Sequence, residues 1–192
     1  METNNPQLAA LYQDLTQLLA RGERAIVAIE GRCASGKSTL AGRLSSQLSI
    51  PVVHMDHFFL RPEQRTGERL AKPGENVDHE RFREEVLEPL AAGKMVTYRP
   101  WSCQTGALGE PITLTPSPVV LVEGSYSCHP ALWDYYDRRV FLTVDRSEQL
   151  RRIEARDGLS KLQEFREKWI PLEERYFSAF HVEERCDYRL EL

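Results

Sequence analysis

Cysteine is scarce in this 192-residue chain, and none of it is clustered. The four residues stand at positions 33, 103, 128 and 186, with no Cys-x-x-Cys pair. That spacing points to four reduced thiols in a cytoplasmic protein. His54, His57 and His79 show no metal-ligand spacing with cysteine or with one another, which argues against zinc. No apolar stretch approaches the roughly 20 residues of a membrane span. The opening Met-Glu-Thr-Asn-Asn-Pro is polar and acidic, unlike a signal or transit peptide. Positive charge is not in excess: 25 Lys and Arg stand against 29 Asp and Glu, a net charge of −4. Neither nucleic acid nor an anionic membrane is therefore an expected partner, and any phosphate binding must be local. Repeats, low-complexity tracts and linkers are also missing, so residues 1–192 read as one domain.

What is present is a glycine-rich loop in a telling context. Residues 31–39 read Gly-Arg-Cys-Ala-Ser-Gly-Lys-Ser-Thr, which matches G-x-x-x-x-G-K-[ST]. The apolar run 25–29 before it has the composition of a buried parallel strand. Leu40, Leu44 and Leu48 after it recur at helical spacing. Strand, tight turn and helix start are the order a phosphate cradle requires. Gly31 and Gly36 allow backbone conformations closed to other residues. The N–H groups around Ala34, Ser35, Gly36 and Thr39 can then converge on a phosphate at the helix N-terminus. Lys37 adds a mobile positive charge, and the Ser38 hydroxyl is suited to Mg²⁺.

Elsewhere the pattern alternates. Leu8, Leu11, Leu15, Leu18 and Leu19 share one face of a helix over 7–20. A second strand is expected at 51–55 and an exposed loop over 61–74. A helix capped by Asp78 should run to about 92. Residues 95–98 and 111–115 suggest a small hairpin projecting from the main sheet. The clearest buried strand is 119–122, and another covers 139–144. Asp145-Arg-Ser-Glu148 resembles a capping box. A break at Asp157-Gly158 leads into a helix over about 161–180, and 188–192 ends the chain as a strand. Strands alternating with helices imply a three-layer α/β domain around a parallel sheet.

Ligands bind beyond the carboxyl ends of such strands, which selects the phosphate loop, Asp56 and Glu123. Asp56 could take a proton from a substrate hydroxyl. Glu123 ends an apolar run where a metal-holding carboxylate belongs, and the two compete for the role of base. Arg152 and Arg156 share a helix face before the Gly158 break, as a closing lid would need (lid region about 150–164). The alternative is a solvated basic face paired with Glu148 or Glu154. Arg151 and Lys161 are weaker choices. Tyr98 and Trp101 could stack on a planar substrate or simply cover the core.

Five segments recur in order: the phosphate loop, Met-Asp-His-Phe-Phe at 55–59, Asn-Val-Asp-His-Glu-Arg-Phe at 76–82, Val-Glu-Gly-Ser-Tyr at 122–126, and Arg-Arg-x-x-x-Arg-Asp at 151–157. Over about residues 25–160 this set resembles the uridine kinase group of P-loop kinases, which includes phosphoribulokinase and bacterial pantothenate kinase. The resemblance implies a P-loop NTPase fold with about five strands in the order 2-3-1-4-5. It also implies ATP with Mg²⁺ as donor, held by the loop, Ser38 and Glu123. Asp56 would activate the acceptor hydroxyl, Asp78 would contact a nucleoside sugar, Tyr98 would face the base, and Arg152 and Arg156 would form the lid. The sequence departs from uridine kinases where the acceptor is read. Tyr98 is followed by Arg99-Pro100-Trp101 with Cys103 nearby, in place of Asp-Phe and a histidine. Gly158-Leu-Ser-Lys161 replaces a basic Arg-Gly-Arg. The expected activity is ATP-dependent phosphorylation of a small-molecule hydroxyl. Pantothenate- or sugar-type kinases, and a P-loop ATPase that transfers nothing, are the alternatives.

Overall fold

The structure is a computed structural model and describes residues 5–191. Helix α1 (Pro6–Arg21) starts where Asn5 accepts hydrogen bonds from the N–H groups of Gln7 and Leu8, and it ends at left-handed Gly22. Its buried residues Leu11, Leu15 and Leu18 lie on the face expected from their spacing. Strand β1 (Ala25–Gly31) is buried throughout. The phosphate loop then leads into α2 (Lys37–Leu48) and β2 (Val52–His54). Strands β3 (Val119–Glu123), β4 (Arg138–Thr143) and β5 (Tyr188–Glu191) complete a sheet of order β2-β3-β1-β4-β5. Every neighbouring pair is parallel. This is the three-layer α/β P-loop fold with the expected strand order. The last strand was expected to reach Leu192, which lies outside the described residues, as does the polar start at 1–4.

The sheet is buried on both faces because alternate residues of each strand point opposite ways. Ile26, Ala28, Val120, Val122 and Phe141 join one core with Phe58, Phe82, Tyr176 and Phe177. Val27, Ile29, Val119, Leu121, Val140 and Leu142 join the other, with α1 and α2.

Several local features differ from the sequence reading. The expected loop 61–74 contains a 3-10 turn at Pro62–Gln64 and a helical turn at Gly67–Leu70, capped by Thr66. The helix capped by Asp78, α3 (79–91), widens to π geometry over Arg83–Leu87. Helix α4 (Arg146–Glu164) is followed by a second π segment at Phe165–Trp169 and then by α5 (Ile170–Phe180). Both π segments precede a proline, Pro89 and Pro171. Proline lacks the N–H that the carbonyl four residues earlier would accept, which disfavours the regular ladder at that point. Helix α4 bends at Gly158, whose φ of 83° and ψ of 170° are not helical. Asp145 caps α4 through Ser147 and Glu148, but the Glu148 side chain does not return to complete the box. It pairs instead with Arg151 and Arg152. Residues 95–115 form a two-tier hairpin: 97–98 pairs with 112–113, and 101–102 pairs with 107–108. No helix among the described residues is long and apolar enough to cross a membrane.

Candidate active site

The loop at the end of β1 takes its shape from two glycines. Gly31 has φ of 136°, and a Cβ there would lie 2.0 Å from the carbonyl oxygen of Leu142. Only glycine lets β1 and β4 close together at this point. Gly36 caps α2 at φ of 99°, aiming the first-turn N–H groups of Lys37, Ser38 and Thr39 out of the helix without intrahelical partners. Lys37 Nζ donates to the carbonyls of Gly31 (2.6 Å) and Arg32 (3.0 Å) across the same loop. Ser35 Oγ is buried with no hydrogen-bond partner among the described residues. Unpaired donors and a buried lysine at a helix N-terminus suit a phosphate.

Ser38 Oγ donates to Glu123 at 3.0 Å, so the two residues expected to hold a metal come from different elements to one point. A hydroxyl beside a carboxylate is an oxygen donor set that suits Mg²⁺. The other Glu123 oxygen meets His54 Nδ1 at 2.5 Å, and that contact raises the His54 pKa. Asp56 follows β2 in a 3-10 turn, Met55–Phe58. Its carboxylate opens to the cleft and forms no hydrogen bond among the described residues. Protein on its flanks and the nearby charge of Glu123 raise its pKa.

These groups line one cleft of about 1490 Å³. That volume exceeds the ~300–1,000 Å³ of a single small-molecule site, and so has room for a nucleotide and an acceptor together. Ala34, Gly36, Lys37, Ser38, Thr39, Asp56, Glu123, Arg152 and Arg156 all face it. Arg152 donates to the Ala34 carbonyl at 3.3 Å and to Glu148 at 2.8 Å. Arg156 pairs with Asp157 at 2.7 Å. The arginine face therefore carries the carboxylate pairs of a solvated face and also borders the loop.

Three expected acceptor-binding residues are not brought to this lining. Asp78 is buried as the α3 cap, accepting hydrogen bonds from Arg81 N–H and from Gln64 Nε2 at 2.8 Å. Tyr98 and Trp101 are 2% and 9% exposed, packed under the hairpin with no free face for stacking. Tyr98 Oη contacts His57 Nδ1 at 3.1 Å instead. The lack of metal-ligand spacing among the histidines also needs qualifying. The fold gathers Glu75, His79 and His129, with ligand atoms within 4.8 Å of one another. Ala131 N–H donates to His129 Nδ1 at 3.2 Å. The ring proton then belongs on Nε2, the atom facing Glu75, where a metal would need a lone pair.

The sequence reading missed the contribution of the C-terminal helix. Glu173, on α5, accepts from the Cys33 N–H at 3.0 Å and from Ser125 Oγ at 2.6 Å. Glu174 binds Arg32 of the phosphate loop at 2.7 Å. Gln149, on α4, donates to the Cys33 carbonyl at 3.0 Å. Glu30 is wholly buried and accepts from the N–H groups of Gly31, Tyr126 and Cys128 and from Tyr176 Oη. Burial overcomes these donors and lifts its pKa to about 7. The legible signs were a carboxylate on the buried stripe of α5 (Ile170, Glu173, Tyr176, Phe177) and another inside an apolar strand.

No protein-family model matches the chain. Among solved structures it is similar to a possible uridine kinase from Bacillus stearothermophilus, with 20% identity, TM-score 0.73, and coverage of 99% of this chain and 100% of that one. It is also similar to a candidate fructose transport system kinase from Silicibacter sp. TM1040, at 23% identity and TM-score 0.72, covering 95% and 98%. A third is D-glycerate 3-kinase from Cryptococcus neoformans, at 15% identity and TM-score 0.66, covering 96% and 92%. The chain thus has the fold of the P-loop kinases, uridine-kinase-like proteins among them.

Proposed function

We propose that this protein is an ATP-dependent kinase that phosphorylates a hydroxyl group of a small molecule. The observation that carries this reading is the meeting, in one cleft, of a phosphate loop, the Ser38–Glu123 pair and a carboxylate with no hydrogen-bond partner among the described residues, Asp56. A nucleotide switch or simple ATPase needs the first two, but not an acceptor-side base facing further open volume. The structural neighbours are named for different acceptors, among them uridine and D-glycerate. They support the reaction class and leave the acceptor to this chain's own residues.

The loop amides and Lys37 would hold the β- and γ-phosphates, and Arg152 and Arg156 would neutralise charge from the α4 side. Mg²⁺ bound by Ser38 and Glu123 would supply further neutralisation at the phosphates. The acceptor oxygen bonds to the γ-phosphorus, the bond from that phosphorus to the β–γ bridging oxygen breaks, and ADP leaves. The hydroxyl proton passes to Asp56, whose carboxylate faces the cleft with no competing hydrogen bond among the described residues.

The test is ADP release across nucleosides, pantothenate and sugars. Asp56→Asn should keep ATP binding while turnover falls by ~10² or more. Wild-type turnover should also drop with acid as Asp56 takes up a proton, and the variant should lose that limb. Unchanged turnover would move the base role to Glu123. Lys37→Ala should sharply weaken ATP binding or turnover, and normal kinetics in that variant would sink the loop assignment.

A further inference from the structure

The arginines of the cleft differ in how their positive charges are balanced. On the phosphate-loop side, Arg152 and Arg156 are each paired with a carboxylate, Glu148 and Asp157. Two further arginines of the lining, Arg65 and Arg175, are not. Arg65 donates to the carbonyl of Leu60 at 3.0 Å and approaches Cys103 Sγ at 3.7 Å. Arg175 donates to the carbonyl of Leu70 at 3.1 Å. Both line the cleft, and among the described residues neither forms an ion pair with a carboxylate. Carbonyl and thiol partners occupy part of a guanidinium's five donors without cancelling its charge.

Five carboxylates also line the cleft, Asp56, Glu123, Glu164, Glu167 and Glu173, but among the described residues none forms an ion pair with either arginine. Arg65, Leu70 and Phe59 belong to the segment that follows Asp56, and Arg175 is tied to that segment through the Leu70 carbonyl. In a protein of net charge −4, this pair is a local attraction for anions.

We propose that the acceptor is itself anionic: a hydroxyl compound bearing a carboxylate or phosphate, which Arg65 and Arg175 hold while its hydroxyl reaches Asp56. Guanidinium suits both anions because its donors can bind two oxygens at once. This deepens the kinase reading and rests on it.

The test uses matched acceptors that differ in charge. ADP release at saturating ATP is compared for D-glycerate and glycerol, glycerol 3-phosphate and glycerol, pantothenate and pantothenol, with uridine as a neutral reference. The expected result is a preference of at least about tenfold in kcat/KM for the charged member of one pair. Which pair responds separates carboxylate from phosphate. The double variant Arg65→Gln, Arg175→Gln should erase that preference through KM, leaving kcat and the KM for ATP nearly unchanged. Preference for a neutral acceptor, or a preference that survives in the double variant, overturns the proposal. Failure of the kinase reading looks different: no Lys37-dependent ADP release with any acceptor. Calorimetric titration of the same three anions into protein holding a non-hydrolysable ATP analogue then decides. Binding lost in the double variant upholds the anion site, and equal or absent binding refutes it.

Discussion

Glu30 shows how much one residue can say about its surroundings. Three backbone N–H groups and a tyrosine hydroxyl point at its carboxylate, an arrangement that favours the charged form. Complete burial opposes them and prevails, so the pKa rises from 4.5 to about 7. The consequence for stability has a definite sign. Below pH 4.5 both folded and unfolded chains hold the proton, and nothing is lost. Between 4.5 and about 7 the unfolded chain releases it while the folded protein retains it, so stability falls as pH rises. The full effect is roughly 3 kcal/mol. Glu30→Gln cannot ionise, so its stability relative to wild type should improve by about that amount between pH 4 and 8. Urea midpoints across that range measure it, and a constant difference would show that the carboxyl titrates normally. Asp56 is shifted in the same direction for a related reason, but with its carboxylate open to the cleft. A carboxyl sealed among donors is structural, whereas one shifted at an open face is available for chemistry.

The elements around the phosphate loop divide into those that shape it and those that hold it. Strand β1 and helix α2 shape it, and both were legible because an apolar run, two glycines and a helical leucine stripe leave few alternatives. Helix α5 holds it, and that was hidden: Glu173 lies some 140 residues from Cys33, and only the fold joins them. Magnitudes separate the carboxylates of α5. Glu173 is 5% exposed, and Glu173→Ala would strand the Cys33 N–H and the Ser125 hydroxyl, at a cost of ~1–3 kcal/mol. Glu174 is 42% exposed in its side chain, and Glu174→Ala should cost less than ~1 kcal/mol. Thermal unfolding should therefore rank Glu173→Ala well below Glu174→Ala, and ATP affinity should follow the same order because the loop is what loosens. Equal effects would mean that α5 merely packs beside the loop. The hairpin gave the opposite outcome. Tyr98 and Trp101 announced aromatic surface, but two-residue strands cannot tell which face turns inward. The fold turned both toward the core, while Arg65 and Arg175, unremarkable in sequence, reached the cleft.

Across the whole molecule, the strand order matched the family resemblance because four of the five segments that carried it lie at strand ends or helix starts, the points that fix a parallel sheet, while the fifth, 151–157, lies inside α4. The same sheet links the two cores. Ile26 and Val27 are neighbours in β1 yet belong to opposite cores, so neither face can come apart without exposing the other. This argues that residues 5–191 unfold as one cooperative unit, and a substitution far from the tryptophans can test it. Leu15 on α1 is fully buried in one core, whereas Trp133 packs against the other. Leu15→Ala should cost ~2–5 kcal/mol. If the two faces unfold together, the urea transition seen by tryptophan fluorescence should move to lower concentration by the same amount as the transition seen by far-ultraviolet circular dichroism. A fluorescence midpoint that stays in place while the dichroism shifts would show that α1 and its core melt separately. The cleft side would then be an independently stable unit, and the reading of a single domain would fail.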